Sequence, residues 1–362
     1  MDALLSVRQL RVGFKQRQGD RYAVNGVDLD IARGETLVVV GESGCGKSLT
    51  ALSIMGLLGV SSGVPHSFVQ GRIQLREEGK QPLELVGLPR QSYDKLRGSV
   101  ISMIFQEPMT ALNPLLTVGE QIVEVLMEHK GLTKAQAREE AIALLGEVGI
   151  PEPERRMKAY PFQLSGGQKQ RVMIAVSIAC EPKLLIADEP TTALDVTIQS
   201  QILYLLNQIK QKRNTSILFI THNLGIVAQF ADRVAVMYRG IIVENAEVGR
   251  LFAAPQHPYT RMLLGSVPQK GQHASAGHRL EAIPGMVPGP SEAVGGCPFH
   301  PRCPLATEQC RKELPGEVAV EPEHRVRCWE AVATHTVSGE SAVMTGEAVL
   351  AGGGASWNSG TY

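Results

Sequence analysis

Residues Gly41-Glu42-Ser43-Gly44-Cys45-Gly46-Lys47-Ser48 follow the pattern G-x-x-x-x-G-K-S/T in full. Gly41, Gly44 and Gly46 let the backbone bend until its N–H groups, those of Ser43 and Cys45 among them, converge on phosphate oxygens. Lys47 can then reach the β/γ-phosphates of a nucleoside triphosphate, and the Ser48 hydroxyl can bind Mg²⁺. A second set is Leu184-Leu185-Ile186-Ala187-Asp188-Glu189, an apolar strand ending in two carboxylates. Open α/β sheets bind ligands at that end of their strands. There Asp188 would act on Mg²⁺, and Glu189 would polarise an attacking water as general base, a role worth roughly 10²–10⁴ in rate. An acidic pair alone is an ordinary solvated feature; a buried strand before it and a phosphate loop in the same chain change that reading. The third set is Leu164-Ser165-Gly166-Gly167-Gln168. Ser165 suits a helix N-cap, and the glycines leave N–H groups open to an anion.

These groups need elements to hold them. Thr36–Val40 is a buried apolar strand running into the glycines, and a helix opens at about Lys47. Leu4–Val12 is a candidate strand within a β-rich stretch over residues 1–40. Lys183–Ala187 and Ser216–Ile220 read as further strands, and Thr197–Lys210 as a helix between them. Strands alternating with helices indicate a mostly parallel sheet covered by helices. Between Asn113 and Ala179 the pattern is helical, with candidates at Thr117–His129, Thr133–Val148 and Gln168–Ala179. The expected fold is therefore α/β, a P-loop NTPase core with a helical lobe inserted at about residues 113–180.

With the motifs in this order, the chain resembles the ATP-binding subunits of ABC transporters over residues 1 to about 255. The resemblance implies that Ser165–Gln168 seals ATP held by the opposite subunit of a head-to-tail dimer. It also implies that Gln106, in Met103-Ile104-Phe105-Gln106, touches Mg²⁺ and the water. Asp195, in Ala193-Leu194-Asp195, would communicate across the dimer, and His222 would contact the γ-phosphate. Asn223 departs from the aspartate usual after that histidine. For stacking on adenine, Phe14 is the first candidate and Tyr22 the alternative; either could equally belong to the core.

Three segments narrow the resemblance to oligopeptide/dipeptide importers: Phe105-Gln106-Glu107-Pro108-Met109-Thr110-Ala111-Leu112-Asn113-Pro114, Pro190–Gln199 and His257-Pro258-Tyr259-Thr260. The wording around Arg171–Ala175 and Thr192–Thr197 is similar to the "D" subunit of such systems. That implies pairing with a second, related ATPase, two membrane permeases and, indirectly, an extracytoplasmic solute-binding protein. Di- and oligopeptides are the expected cargo, with glutathione and nickel as alternatives. A non-transport ABC ATPase of the DNA-repair type would normally carry a long coiled-coil or zinc-bearing insertion, and the core here is compact.

Four of the six cysteines, Cys297, Cys303, Cys310 and Cys328, fall within one short C-terminal stretch. In a reducing compartment such a group is more often a metal site than a disulfide framework. Short C-x₂₋₄-C pairs typical of zinc sites are missing, whereas a 4Fe–4S cluster tolerates varied spacing. The family resemblance favours the iron–sulfur cluster, with zinc as the alternative. Residues 256–330 would then form a loop-rich metal-cluster appendage, and residues 331–362, rich in Gly, Ala, Ser and Thr, a disordered tail.

Composition limits the rest. Lys+Arg and Asp+Glu balance at 36 each, which weighs against a nucleic-acid partner. No apolar run is long enough to span a bilayer. The expected location is the cytoplasmic face of the membrane, reached through the permeases.

Overall fold

The computed structural model describes residues 3–17, 19–59, 66–107, 111–192, 194–266, 283–289, 292 and 294–331. All of the expected tail after Ala331 and the stretch Pro108-Met109-Thr110 thus lie outside the described residues, as does Ala193. From the N-terminus the chain runs through β1 (Ala3–Phe14), β2 (Arg21–Ala32), β3 (Thr36–Val40), α1 (Lys47–Ile54), β4 (Ser67–Leu75), β5 (Leu83–Glu84), α2 (Arg90–Leu96) and β6 (Ile101–Ile104). The lobe follows with α3 (Val118–Lys130), α4 (Lys134–Glu147) and α5 (Gly166–Ile178). Then come β7 (Leu184–Asp188), α6 (Val196–Arg213), β8 (Ser216–Thr221), α7 (Leu224–Phe230), β9 (Arg233–Tyr238), β10 (Ile241–Glu247), α8 (Val248–Ala253), α9 (Pro258–Gly265), α10 (Glu308–Lys312), β11 (Val318–Glu321) and β12 (His324–Val326).

An eight-stranded sheet in the order β11-β12-β10-β9-β3-β8-β7-β6 forms the centre, parallel from β9 to β6. β3 is buried along its whole length because both of its faces are covered. Alternate side chains point to opposite faces of a strand. Val38 and Val40 accordingly join the core shared with the helices, while Leu37 and Val39 join the core under the second sheet. β7 divides the same way, Leu185 and Ala187 to one side and Leu184 and Ile186 to the other. The second sheet is four-stranded and antiparallel, in the order β2-β1-β4-β5.

The three long lobe helices start where their sequence provides a cap. Thr117 with Glu120, Thr133 with Gln136, and Ser165 with Gln168 form reciprocal capping boxes that satisfy backbone donors at the N-termini. Gly131 closes α3 with φ +64°, a conformation glycine adopts without a Cβ penalty.

The C-terminal segment is less loop-like than its proline and glycine content suggests. β11 and β12 form a hairpin that extends the central sheet through β10, pairing Glu244 with Val326 and Asn245 with Arg325. Phe299 is fully buried against Tyr238 and Tyr259, with ring centroids 5.2 and 5.3 Å apart, so the segment shares the main core. Glu244, fully buried, anchors the junction: its carboxylate accepts the N–H groups of Gln256 (2.7 Å) and His257 (2.9 Å) and lies 2.8 Å from His324 Nε2. Burial raises its pKa, but these hydrogen bonds outweigh burial and hold it below the usual carboxylate range.

Glu244→Gln places an amide N–H₂ among donors and should lower stability by roughly 1–3 kcal/mol, read as a lower Tm with faster proteolysis of residues 294–331. In the parent chain the Glu244 contribution is complete above pH 4.5, the value of a free glutamate, and is lost as acid titrates the folded-state carboxyl. A variant with unchanged melting and unchanged protease resistance would contradict this role.

Candidate active site

The parallel register fixes where the polar groups stand. Ile104 pairs with Ala187, Asp188 with Ile220, and Val40 with Thr221. Four neighbouring strands therefore stop along one line, and the next residues of each are the ones chemistry requires: Gln106 after β6, Glu189 after β7, His222 after β8 and the phosphate loop after β3.

The loop itself leaves little room. A Cβ on Gly41 would lie 2.1 Å from the Met237 carbonyl oxygen, and one on Gly46, at φ +108°, 2.9 Å from the Ala23 oxygen. Lys47, at the start of α1, is 4% exposed, and its ammonium donates to the carbonyls of Gly41 (2.8 Å) and Glu42 (3.1 Å). Ser48 Oγ donates to Asp188 Oδ1 at 3.0 Å, bringing together two oxygen ligands suited to a hard divalent cation. Burial raises the Asp188 pKa, the Ser48 hydrogen bond opposes this, and the neighbouring Glu189 adds to it.

Glu189 is the convergence point. Gln106 Nε2 (3.2 Å), Thr192 Oγ1 (3.0 Å) and His222 Nδ1 (3.2 Å) all meet the same carboxylate oxygen, Oε2. The residue is 8% exposed and sits at φ +45°, uncommon for a non-glycine, with its own N–H bonded to the Ile220 oxygen at 2.9 Å. Such strain persists only where neighbours over-determine the conformation. His222 remains about half exposed.

Other expected residues stand apart from this cluster. Ser165 accepts the Gln168 N–H at 3.3 Å while the Gln168 side chain accepts the Ser165 N–H at 3.1 Å, so the polar groups of that motif cap their own helix, with Ser165 and Gly166 exposed. Asp195 caps α6 through the Ile198 N–H at 2.9 Å. Asn223 caps α7 through the Gly225 N–H at 3.0 Å, a task asparagine performs as well as aspartate. Phe14 and Tyr22 lie at the same end of the β1–β2 pair, and Tyr22 is the more open of the two, 43% exposed with its ring 5.5 Å from Phe68. Sequence reasoning missed Thr192, whose Thr-Thr context carries no chemical signal, and it missed the contacts of the C-terminal segment with the loop. Glu42 donates its N–H to Tyr259 Oη at 3.0 Å, and Arg302 forms a bidentate pair with the Glu42 carboxylate.

For the four clustered cysteines the structure gives a shared cavity rather than a formed coordination shell. Cys297, Cys303, Cys310 and Cys328 line one pocket of about 150 Å³. Among the described residues no three His, Cys, Asp or Glu side chains converge closely enough to hold a metal ion. The expected metal-cluster appendage is thus present as a fold segment without a preformed metal site.

Residues 24–192 match the ABC transporter family, and residues 243–310 match the oligopeptide/dipeptide transporter C-terminal region. The chain is 50% identical over 329 residues to the oligopeptide transport ATP-binding protein AppD of Bacillus subtilis, covering 91% of this chain and 97% of that protein. It is 47% identical over 332 residues to OppD of Salmonella typhimurium, covering 91% and 95%. The chain belongs to the ATP-binding subunits of oligopeptide/dipeptide ABC transporters. Its core is also similar to a solved dimeric ATP-binding cassette in a post-hydrolysis state with ADP and Pi, at 26% identity and TM-score 0.59 over 67% of this chain and 98% of that one. An ABC transporter cassette component of Clostridium perfringens is similar at 30% identity and TM-score 0.58, over 70% and 92%.

The chain is an ABC transporter ATPase that couples ATP hydrolysis to peptide import. In ATP hydrolysis a water oxygen attacks the γ-phosphorus and the bond to the bridging oxygen breaks to release ADP; we propose that Glu189 takes the water proton. Glu189→Gln keeps hydrogen bonding to Gln106 and His222 but removes the proton acceptor. Turnover should fall at least about 10²-fold with ATP affinity retained, measured by phosphate release beside equilibrium titration. Hydrolysis near the parent rate would contradict the assignment.

Proposed function

We propose that this chain energises uptake of di- and oligopeptides, acting as one of two ATPase subunits beneath two membrane permeases supplied by an extracytoplasmic binding protein. The observation that carries the reading is the joining, in one chain, of the assembled ATP edge to residues 243–310 matching the oligopeptide/dipeptide transporter C-terminal region. In the working pair each ATP lies between Lys47, Ser48 and Glu189 of one subunit and the Ser165–Gln168 segment of the other. The exposed, self-capped position of that segment and the dimeric assembly of the similar cassette support this arrangement. The D-type wording of the sequence favours a related but different ATPase as partner. Among the described residues no helix is long and apolar enough to cross a membrane, in keeping with attachment to the cytoplasmic face through the permeases. Tyr22, the more exposed aromatic beside the loop, provides the adenine platform, with Asp195 at the subunit boundary.

Ser48, Asp188 and Gln106 are the residues that would hold Mg²⁺, which supplies charge neutralisation to the triphosphate. Cys297, Cys303, Cys310 and Cys328 would hold a 4Fe–4S cluster. The shared cavity and the all-thiol donor set fit such a group, whose ligands stand farther apart than those of one zinc ion. Burial, reinforced by the neighbouring thiols and opposed by the Phe299 backbone N–H, pushes the Cys297 thiol up to about 11.

Affinity purification of this chain from its native membrane should recover two permeases and a second ATPase, and peptide uptake should stop when its gene is deleted. Recovery without membrane proteins, or uptake unaffected by deletion, would contradict the transport role. Anaerobically purified protein should be brown with about four irons per chain, and Cys303→Ser should lose them. A colourless preparation carrying one zinc would overturn the cluster assignment.

A further inference from the structure

Arg302 lies beside Cys303, some 260 residues from the phosphate loop, yet its guanidinium closes on the loop. Nη1 donates to Glu42 Oε2 at 2.7 Å and Nη2 to Glu42 Oε1 at 3.1 Å, the planar two-bond geometry in which arginine and carboxylate pair best. The Arg302 side chain is 4% exposed. Its three remaining donors meet the Pro284 oxygen at 2.9 Å from Nε, Tyr238 Oη at 3.4 Å from Nη1 and the Gly285 oxygen at 3.5 Å from Nη2. The guanidinium is therefore held by the C-terminal segment and presented to the loop.

Glu42 is positioned to transmit this grip. Its N–H donates to Tyr259, its carboxylate is taken by Arg302, and its carbonyl accepts the Lys47 ammonium at 3.1 Å. A second thread runs alongside. The turn at Arg239-Gly240 donates the Gly240 N–H to the Cys45 oxygen at 2.8 Å, and Arg239, at φ +45°, donates to Pro288, Gly289 and Glu292 carbonyls. The loop that must cradle phosphate is thus tied at two points to residues 284–302.

A carboxylate inside a phosphate-binding loop is an electrostatic liability, because an unpaired negative charge there opposes the triphosphate. We propose that Arg302 is a positioning residue for ATP: it neutralises Glu42 and fixes the loop, so that the cysteine-lined segment sets the affinity of the nucleotide site. The inference rests on the phosphate-loop reading, and the two fail differently.

The test compares the parent with Arg302→Gln, Arg302→Lys and the double variant Glu42→Gln/Arg302→Gln. ATP affinity is read by equilibrium titration, KM and kcat by steady-state hydrolysis, and folding by thermal melting. Arg302→Gln should weaken ATP binding about tenfold and raise KM with kcat little changed, while Arg302→Lys, which keeps the charge but loses the fork, should lie between. The double variant should regain most of the lost affinity, because the uncompensated carboxylate is gone. Unchanged affinity in Arg302→Gln would overturn the proposal. So would an equal loss in the single and double variants, or a loss in Arg302→Gln that merely follows early melting without recovery in the double. Lys47→Ala serves as the separate control: undiminished ATP binding in that variant would sink the phosphate-loop reading itself.

Discussion

Parallel strands in one sheet all point their carboxyl ends the same way, and the work of this site follows from that constraint. Because β6, β7, β8 and β3 are neighbours in register, residues 106, 188–189, 222 and 41–48 meet without any of them being close in sequence. Burial on both faces gives the strands almost no freedom to slip, since a one-residue shift would exchange the two cores served by Val38 and Val39. The catalytic groups inherit that rigidity. Loops carry the chemistry, and the sheet decides where each loop starts.

Within that frame the charged and polar groups of the strand edge are paired within the protein. Lys47 is taken up by loop carbonyls, Ser48 by Asp188, and Glu189 by Gln106, Thr192 and His222. A buried group left unpaired costs free energy, so these pairings hold the strand edge together. The left-handed backbone at Glu189 belongs to the same economy: the strand ends, the chain turns sharply, and the carboxylate is aimed across the strand ends.

Much of this was legible in the sequence. β3 coincides with the expected Thr36–Val40, the lobe helices lie within a few residues of their expected bounds, and the motif residues of four strand ends do converge. Those features depend on local pattern: apolar runs, capping residues and glycines at fixed spacing. What sequence did not show depends on distant pairings. The separate antiparallel sheet arises from the pairing of β1 with both β2 and β4, which alternation within each strand leaves open. The β11–β12 hairpin was hidden because its strands span only four and three residues, and its place is set by docking on β10. Nothing in the sequence pairs Arg302 with Glu42, 260 positions away, until the fold joins them.

The most direct measurement is the structure of this chain with Mg²⁺ and ATP in the Glu189→Gln background. The expected result has Lys47 moved from the Gly41 and Glu42 carbonyls onto the triphosphate, with Ser48 and Gln106 at the metal ion and His222 turned to the γ-phosphate. A triphosphate bound away from this strand edge, or Lys47 still held by the loop carbonyls with ATP in place, would contradict it.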